Sequence, residues 1–280
     1  MSLPHLTSRR TSTSTSMRRA ASLSALAVVL GAAVSTVAAQ PAGRGGPGDE
    51  EGSSWGLGLA VINSQSPYRG VDRETKALPM IRFENEYVKV GGPGLEIKLP
   101  GLDLRDAGRV KFGLVGKMEF AGYEASDSPF LAGMAERKSG FWGGAKAEWD
   151  NEVAEVSLQW IADASGHSKG QRFSLGLEKN WHFGNRLMLV PHLTAHWLDR
   201  KYVDYYYGVR AAEATAGRAA YAGKSGVDVE LGLRTMYLFD RHHSLMLDVS
   251  ATRLASSIKD SPLVDRSSSN RVMLGYLYSF

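Results

Sequence analysis

Residues 271–280 end the chain with the sequence RVMLGYLYSF, and this stretch decides the fold. Every second residue counted back from the terminus is apolar or aromatic: Phe280, Tyr278, Tyr276, Leu274 and Val272. Successive side chains of a β-strand point to opposite faces, so this pattern predicts an amphipathic strand. An unpaired apolar edge invites aggregation, whereas closure of a sheet into a barrel removes the edge. We therefore predict that these five residues close and assemble an outer-membrane barrel, with the edge of a soluble sandwich as the alternative.

The same two-residue alternation continues over most of residues 54–280. Several segments alternate for ten residues or more, close to the roughly 9–11 residues that a tilted membrane strand needs, whereas strands of soluble proteins average about 5 or 6. Short connections alternate with long ones, which lie at residues 124–139, 163–170, 200–225 and 256–270. The fold class predicted for this region is all-β, a transmembrane antiparallel up-and-down β-barrel with short periplasmic turns and long external loops.

The number of strands depends on residues 80–99. Eleven strand-like segments are recognisable, but a bacterial barrel with both termini in the periplasm needs an even number. A turn at Glu84-Asn85-Glu86 would divide this region into two strands. We therefore predict about 12 strands, with 10 as the alternative.

The two faces of the predicted strands differ in chemistry. Aromatic residues near strand ends are expected to form girdles at the membrane interfaces: Trp55, Trp142, Trp149, Trp160, Trp181, Trp197, Tyr237 and Tyr276. The opposite rows are expected to line the lumen with charges of both signs: Arg82, Lys111, Lys117, Lys146, Arg172, Arg234, Glu84, Glu86, Glu119, Glu148, Glu178, Asp228, Glu230 and Asp248. Such a lumen holds either mutually satisfied ion pairs with water or a selective pore.

The start of the chain predicts export. Arg18 and Arg19 precede an apolar run over residues 20–34, and Val37-Ala38-Ala39 supplies the small residues that a signal peptidase accepts. We predict a cleaved signal peptide over residues 1–39, with translation starting at Met1 or Met17. Residues 40–53 are rich in glycine, proline and acids and are expected to form a flexible periplasmic tail. The predicted location is the cell outer membrane of a Gram-negative type of bacterium.

The charge balance argues against a nucleic-acid partner. The whole chain has 33 basic and 29 acidic residues, and four of the arginines and none of the acids lie in the predicted signal peptide. The mature part therefore carries 29 residues of each sign, so no basic surface is implied. The chain has no cysteine, which agrees with export but does not require it.

The sequence offers no convincing metal or cofactor site. His192 and His196 are four residues apart. In a strand that spacing spans about 13 Å, which is too far for two side chains to chelate one ion directly. We predict no metal, no cofactor and no catalytic residue.

A hydrolase at the barrel rim is the enzymatic alternative. It would need a histidine with an acidic or hydroxyl partner, and the candidates are His167 beside Asp163 and His242-His243 beside Asp240. Polar residues of this kind are common in turns, where their side chains bond the local backbone. Turn formation is therefore the preferred interpretation of these residues.

Four passages together resemble the MipA/OmpV family of outer-membrane proteins. They are Ser66-Pro67-Tyr68-Arg69-Gly70, Tyr205-Tyr206-Tyr207-Gly208-Val209 with Glu213-Ala214, Ser261-Pro262-Leu263-Val264-Asp265-Arg266, and Tyr276-Leu277-Tyr278-Ser279-Phe280. The first follows the first predicted strand, the second and third fall in predicted long external loops, and the four are spread over residues 55–280. The resemblance implies contact with outer-membrane lipid and, for the founding member, a scaffold that joins a lytic transglycosylase to a peptidoglycan synthase. It implies no catalytic residues.

These observations lead to three hypotheses of function. The first is a non-enzymatic scaffold that links peptidoglycan-remodelling enzymes to the outer membrane, taken from the family resemblance. The second is a passive channel for small polar solutes, suggested by the charged lumen. The third is the rim hydrolase, which we rank last.

Overall fold

A ring of antiparallel strands forms the wall of the molecule, and the computed structural model describes residues 53–280. The predicted signal peptide and almost all of the predicted tail lie outside the described residues. The strands are Ser54–Ser64 (β1), Glu74–Glu84 (β2), Val88–Gly91 (β3), Gly94–Asp103 (β4), Arg109–Glu119 (β5), Gly140–Asp150 (β6), Glu155–Asp163 (β7), Gln171–Glu178 (β8), Trp181–Phe183 (β9), Leu187–Leu198 (β10), Gly226–Leu238 (β11), His243–Arg253 (β12) and Ser268–Ser279 (β13).

The last strand closes the barrel, as the sequence predicts. β13 pairs with β1 on one side and with β12 on the other, with Tyr276 opposite Leu59 in the β1 ladder. The backbone N–H of Phe280 donates to the carbonyl of Trp55 at 3.0 Å. Pairing of β10 with β11 completes the ring. Closure leaves the terminal strand with a partner on both edges, which removes the aggregation hazard of an open sheet.

The wall contains twelve strands. β8 and β9 pair with the same strand, β10, and are separated by Lys179 and Asn180, so together they form one interrupted wall strand. β2 ends at Glu84, and the Asn85 side chain accepts hydrogen bonds from the backbone N–H groups of Tyr87 and Val88, the residue at which β3 begins. The predicted turn in this region is confirmed, and the alternative of ten strands is wrong.

The two faces of the wall follow the predicted alternation with two corrections. Seven of the eight predicted girdle residues are exposed on the outer face: Trp55, Trp149, Trp160, Trp181, Trp197, Tyr237 and Tyr276. Trp142 is fully buried, because it faces inward with Lys146 and Glu148 of the same strand. Glu86 was expected in the lumen, but it is exposed in the turn after β2, where the strand has already ended.

The long connections lie at one end of the barrel, together with the two-residue turn between β3 and β4, and the remaining short turns lie at the other end. These remaining turns share their end with Trp55 and Phe280; in a membrane barrel this is the periplasmic end, and the long loops are external. The long loops contain two helices, α1 (Arg200–Tyr207) and α2 (Ser256–Lys259). Asp199 caps α1 by accepting a hydrogen bond from the backbone N–H of Tyr202 at 2.8 Å. No helix within residues 53–280 is long and apolar enough to cross a membrane.

Candidate functional site

A packed hydrophobic cluster lies over the external mouth of the barrel. It is formed by four long loops, residues 65–73, 120–139, 199–225 and 254–267, which we call the external cap. Its core also includes inward-facing residues from strand ends, and six of its side chains are completely buried: Leu131, Trp142, Ile161, Val203, Ile258 and Leu263. A barrel interior is too polar to supply such a core, so the apolar side chains of the loops pack against one another instead.

The structure brings three of the family-motif loops together in the cap. Tyr68 donates a hydrogen bond from its hydroxyl to the carbonyl of Tyr206 at 3.2 Å and stacks on Tyr207 with ring centroids 5.5 Å apart. Its backbone pairs with Val264 in an isolated bridge. The hydroxyl of Ser261 donates to the carbonyl of Tyr207 at 2.6 Å. Motifs from residues 66–70, 205–209 and 261–264 therefore form one contact site.

The remaining motif residues have local roles. Ser66 accepts a hydrogen bond from the backbone N–H of Tyr68, and Gly70 adopts a φ of 71°, which favours glycine. Arg69 lies over the ring of Phe130 at 4.8 Å, which joins the first cap loop to the second. Other motif residues are placed as follows: Tyr205 accepts a bond from the backbone of Lys138, Gly208 ends α1, Val209 bridges Tyr221, Pro262 follows Ser261, and Asp265 is exposed and pairs with Arg266.

A buried ion pair ties two cap loops together. The guanidinium of Arg137 donates two hydrogen bonds to the carboxylate of Glu213, at 2.9 and 3.1 Å, and both side chains are almost completely buried. The Glu213 carboxylate also accepts from the backbone N–H groups of Ala135 and Arg210. Arg218 extends the tie by donating to the carbonyls of Phe130, Ala132 and Glu213. Each oxygen of the buried Glu213 carboxylate thus accepts two hydrogen bonds, which offsets the cost of burying its charge.

The cap should loosen at low pH because of Glu213. Burial would raise the pKa of this carboxyl, but hydrogen bonds from Arg137 and from two backbone N–H groups lower it from 4.5 to about 2. A lowered pKa means that the stabilisation is fully present above pH 4.5 and is lost as the pH falls through about 2.

We therefore expect pepsin to cleave the loop 120–139 faster as the pH falls from above 4.5 toward 2. A variant without the charge pair, Arg137→Met with Glu213→Leu, serves as the control because it corrects for the protease's own pH dependence. An equal acceleration in both proteins would contradict the prediction.

Beneath the cap, ion pairs cross the lumen. Glu119 binds Arg172 and Lys117, the latter at 3.1 Å. The other contacts join Lys146 to Glu96 and Glu148, Arg234 to Glu178 and Asp248, and Arg271 to Glu230 and Asp248. A cavity of about 480 Å³ lies among these side chains. The charges predicted to line the lumen do so largely in mutual pairs, which lowers the cost of burying them.

The histidines form no catalytic constellation with the partners expected from the sequence. Asp163 accepts from the backbone of the turn that follows it, and His167 contacts the carbonyl of Ser139 instead. Asp240 likewise accepts from the backbone N–H groups of His242 and His243. Both aspartates thus have the turn-forming role preferred above.

In the lumen, His192 lies 3.7 Å from Glu230, and His196 contacts the hydroxyl of Ser174 at 2.8 Å. Within residues 53–280 no group of three or more histidine, aspartate or glutamate side chains could hold a metal ion.

Sequence reasoning missed the residues that hold the cap. Arg137 and Arg218 carried no periodic or motif signal, because each acts through a loop distant in sequence. The inward orientation of Trp142 could have been predicted. Trp142 is four and six positions from Lys146 and Glu148 on the same strand, so all three side chains point to the inner face. Glu213 belongs to a quoted motif, but its partner became visible only in the folded cap.

Comparison with known proteins agrees with this architecture. A family model described as MltA-interacting protein MipA matches residues 57–280. The chain is 27% identical over 237 residues to YiaT of Escherichia coli (strain K12), covering 81% of this chain and 92% of that protein. It is 24% identical to the MltA-interacting protein of the same strain, covering 81% and 90%. It is also 24% identical to the outer membrane protein OmpV of Vibrio cholerae serotype O1, covering 79% and 84%. The chain therefore belongs to the MipA/OmpV family, and it is a twelve-stranded outer-membrane β-barrel of that type.

Proposed function

We propose that this protein is a non-enzymatic scaffold that holds a peptidoglycan-remodelling enzyme at the periplasmic face of the outer membrane. The observation that carries the proposal is the packed cap over the external mouth, where the buried Arg137–Glu213 pair joins two of the loops. With the cap on the external side and ion pairs across the lumen, the surface that would face the cell wall is the set of periplasmic turns. The similarity to a relative named for its interaction with MltA supports a lytic transglycosylase as the first partner, with a peptidoglycan synthase as the second.

The proposal includes export by a cleaved signal peptide over residues 1–39. The tail over residues 40–53 would then extend from the periplasmic end of β1 and add to the docking surface. A partner below the membrane can reach this tail and the short turns, whereas an apolar band of about 25 Å separates it from the cap.

The periplasmic turns expose apolar side chains suited to a partner. Tyr87, after β2, is 64% exposed, and Val153, between β6 and β7, is 75% exposed. Both lie in turns organised by an asparagine: Asn85 accepts from the backbone N–H of Tyr87, and Asn151 from that of Val153. Their own side chains can therefore be replaced without removing the bonds that form the turns. Aromatic and apolar anchors of this kind dominate many protein interfaces.

We expect the double variant Tyr87→Asp with Val153→Asp to lower binding of a lytic transglycosylase by about tenfold, the loss typical of removing an anchor residue. The measurement is affinity capture from crosslinked envelopes, followed by titration of the purified enzyme against the purified barrel.

Ala219→Asp with Ala220→Asp is the matched control, since both alanines are exposed on the external cap. Capture should be unchanged in this control. Equal losses in the two variants, or no capture of any murein enzyme by the unaltered protein, would show that the scaffold proposal is wrong.

A passive channel for small polar solutes is the second candidate, supported by the cavity of about 480 Å³ among the lumen charges. Planar-bilayer recording distinguishes the two candidates. Reproducible unitary conductance from the pure protein, together with absence of a murein partner, would favour the channel.

A further inference from the structure

The barrel wall is incomplete between β2 and β5. The short strand β3 pairs only with Arg82, Phe83 and Glu84 of β2, so residues 74–81 have a strand partner on the β1 side alone. On the far side of the β3–β4 hairpin, β5 pairs with β4 no further than Lys117. We call the space above the hairpin tip, between residues 74–81 and the external end of β5, the lateral gap.

Two residues beside the lateral gap are of types that tolerate an unpaired strand edge. Pro79 lies in the middle of the unpaired stretch, and proline, which has no N–H to donate, is confined in sheets to edges and similar unpaired positions. Gly91 forms the tip of the hairpin, and a Cβ added there would have no atom within 4 Å. The tip therefore borders open space rather than packed protein.

The gap lies in the part of the wall that faces lipid. Ile81 of β2 and Leu95 of β4 lie beside it, Leu59 of β1 lies opposite Pro79 on the paired edge of β2, and all three expose apolar side chains on the outer face. Backbone groups without strand partners are tolerated at membrane depth only where they are buried in protein or line a polar cavity. The unpaired edge of β2 therefore requires a polar cavity beside it.

The structure contains such a cavity. The lumen cavity of about 480 Å³ is lined by Glu74, Lys76 and Phe120 at the gap, and by Arg234 and Asp248 in the middle of the barrel. The gap and the lumen thus share one continuous space. The lumen side of this space is lined by polar side chains, and the outer face of the wall around the gap is apolar. A molecule that occupies both parts must therefore be amphiphilic.

The charge at the gap defines the polar part of that occupant. Lys76 contacts Glu74 at 2.9 Å, and its ammonium lies 6.0 Å from the ring centre of Phe120. Further inside, Glu119 is shared by Lys117 and Arg172. The whole cavity lining carries six basic side chains and six carboxylates, but at its gap end three cations stand against two carboxylates, and this local excess favours an anion there. Lys76 lies near the external end of β2, and the ends of membrane strands are where the apolar band of a barrel gives way to the headgroup region.

We propose that the lateral gap admits the phosphate-bearing headgroup of a membrane lipid into the lumen cavity while the acyl chains stay in the bilayer. Lys76 is the first contact of the phosphate. The headgroup supplies hydrogen-bond acceptors to the unpaired edge of β2, and no reaction is involved. This lipid site is independent of the proposed scaffold function, because it opens to the membrane rather than to the periplasm.

The test uses the full mature chain in nanodiscs of phosphatidylcholine containing a minor fraction of phosphatidylglycerol with a photoreactive group on its headgroup. Crosslinks should map to Lys76 and to Ser64, both of which line the cavity. Lys76→Gln should lower crosslinking at Ser64 by about fivefold, the effect of one cation near a membrane surface. Lys111→Gln is the matched control, because Lys111 is also an exposed lysine paired with a carboxylate, Asp150, and it should change nothing.

Three outcomes would overturn the proposal. The first is crosslinking confined to outward-facing residues such as Leu59. The second is loss of the Ser64 crosslink on addition of inorganic phosphate, which would indicate a soluble anion. The third is efficient disulfide dimerisation of an Ala77→Cys variant, which would assign the free edge of β2 to a second copy of the chain; the absence of natural cysteine makes this readout unambiguous.

Discussion

A chain that stops before Arg271 should not assemble in the outer membrane. Residues 271–279 supply the entire ladder between β13 and β1 and most of the ladder between β13 and β12. Without them β1 and β12 would each expose an unpaired edge to hydrocarbon, where every unsatisfied backbone group costs several kcal/mol. The summed cost exceeds the 5–15 kcal/mol that stabilises a typical folded protein, so we expect complete loss of the barrel rather than partial destabilisation.

Heat-modifiable migration on gels and fractionation of envelopes measure this loss. Deletion of residues 41–50 removes the same number of residues from a segment that contributes no described strand, so it is the matched control and should assemble normally. A heat-modifiable barrel formed by the truncated chain would refute the assigned role of β13.

Glu213→Gln should open the external cap. The substitution leaves the buried guanidinium of Arg137 without its counter-charge, and breaking a buried pair in this way costs about 3–5 kcal/mol. Because about 1.4 kcal/mol corresponds to a factor of ten, hydrogen exchange of cap amides should accelerate by roughly 10² to 10³. The effect should appear in residues 129–137 and 210–214, the two segments joined by the pair.

The double variant Arg137→Met with Glu213→Leu is the informative control. It removes both charges and replaces them with apolar side chains, a change that is often neutral in a buried site. Cap exchange in the double variant should therefore be slower than in Glu213→Gln because no buried charge is left unpaired, although the backbone N–H groups of Ala135 and Arg210 lose their acceptor; the amides of β12 should be unaffected in both. If Glu213→Gln leaves cap exchange unchanged, the ion pair does not fasten the cap.

The closed cap and the lateral gap together give the barrel an unusual access pattern. The loops that carry the family motifs pack over the external mouth, and the lumen cavity reaches Glu74 and Lys76 of β2. The proposed scaffold surface is separate from both the cap and the gap, because it consists of the periplasmic turns. The three surfaces can be altered separately, since the Glu213, Lys76 and Val153 variants affect different ends or sides of one wall.

Much of the barrel could be predicted from local patterns. A strand exposes alternate residues to two different environments, so the row Val272, Leu274, Tyr276 and Tyr278 identifies the lipid-facing side without knowledge of any contact. The turn at Asn85 is also local, because its side chain bonds the backbone two and three residues ahead. The prediction was wrong for Trp142. It placed Trp142 in the outer girdle because the residue is near a strand end, although Trp142 is an even number of positions from the inward-facing Lys146 and therefore points into the barrel.

The sequence by itself determined the alternation, the closing strand and the family, because each depends on neighbouring residues or on ordered motifs. Only the tertiary structure decided how the loops are used. Tyr68 meets Tyr206 across 138 positions, and Arg137 meets Glu213 across 76, so no periodicity links them. The lateral gap likewise depends on how far β3 extends beside β2. Contacts between distant segments are chosen by packing and charge pairing in the folded chain, whereas strand alternation is imposed residue by residue by the pleat of the backbone.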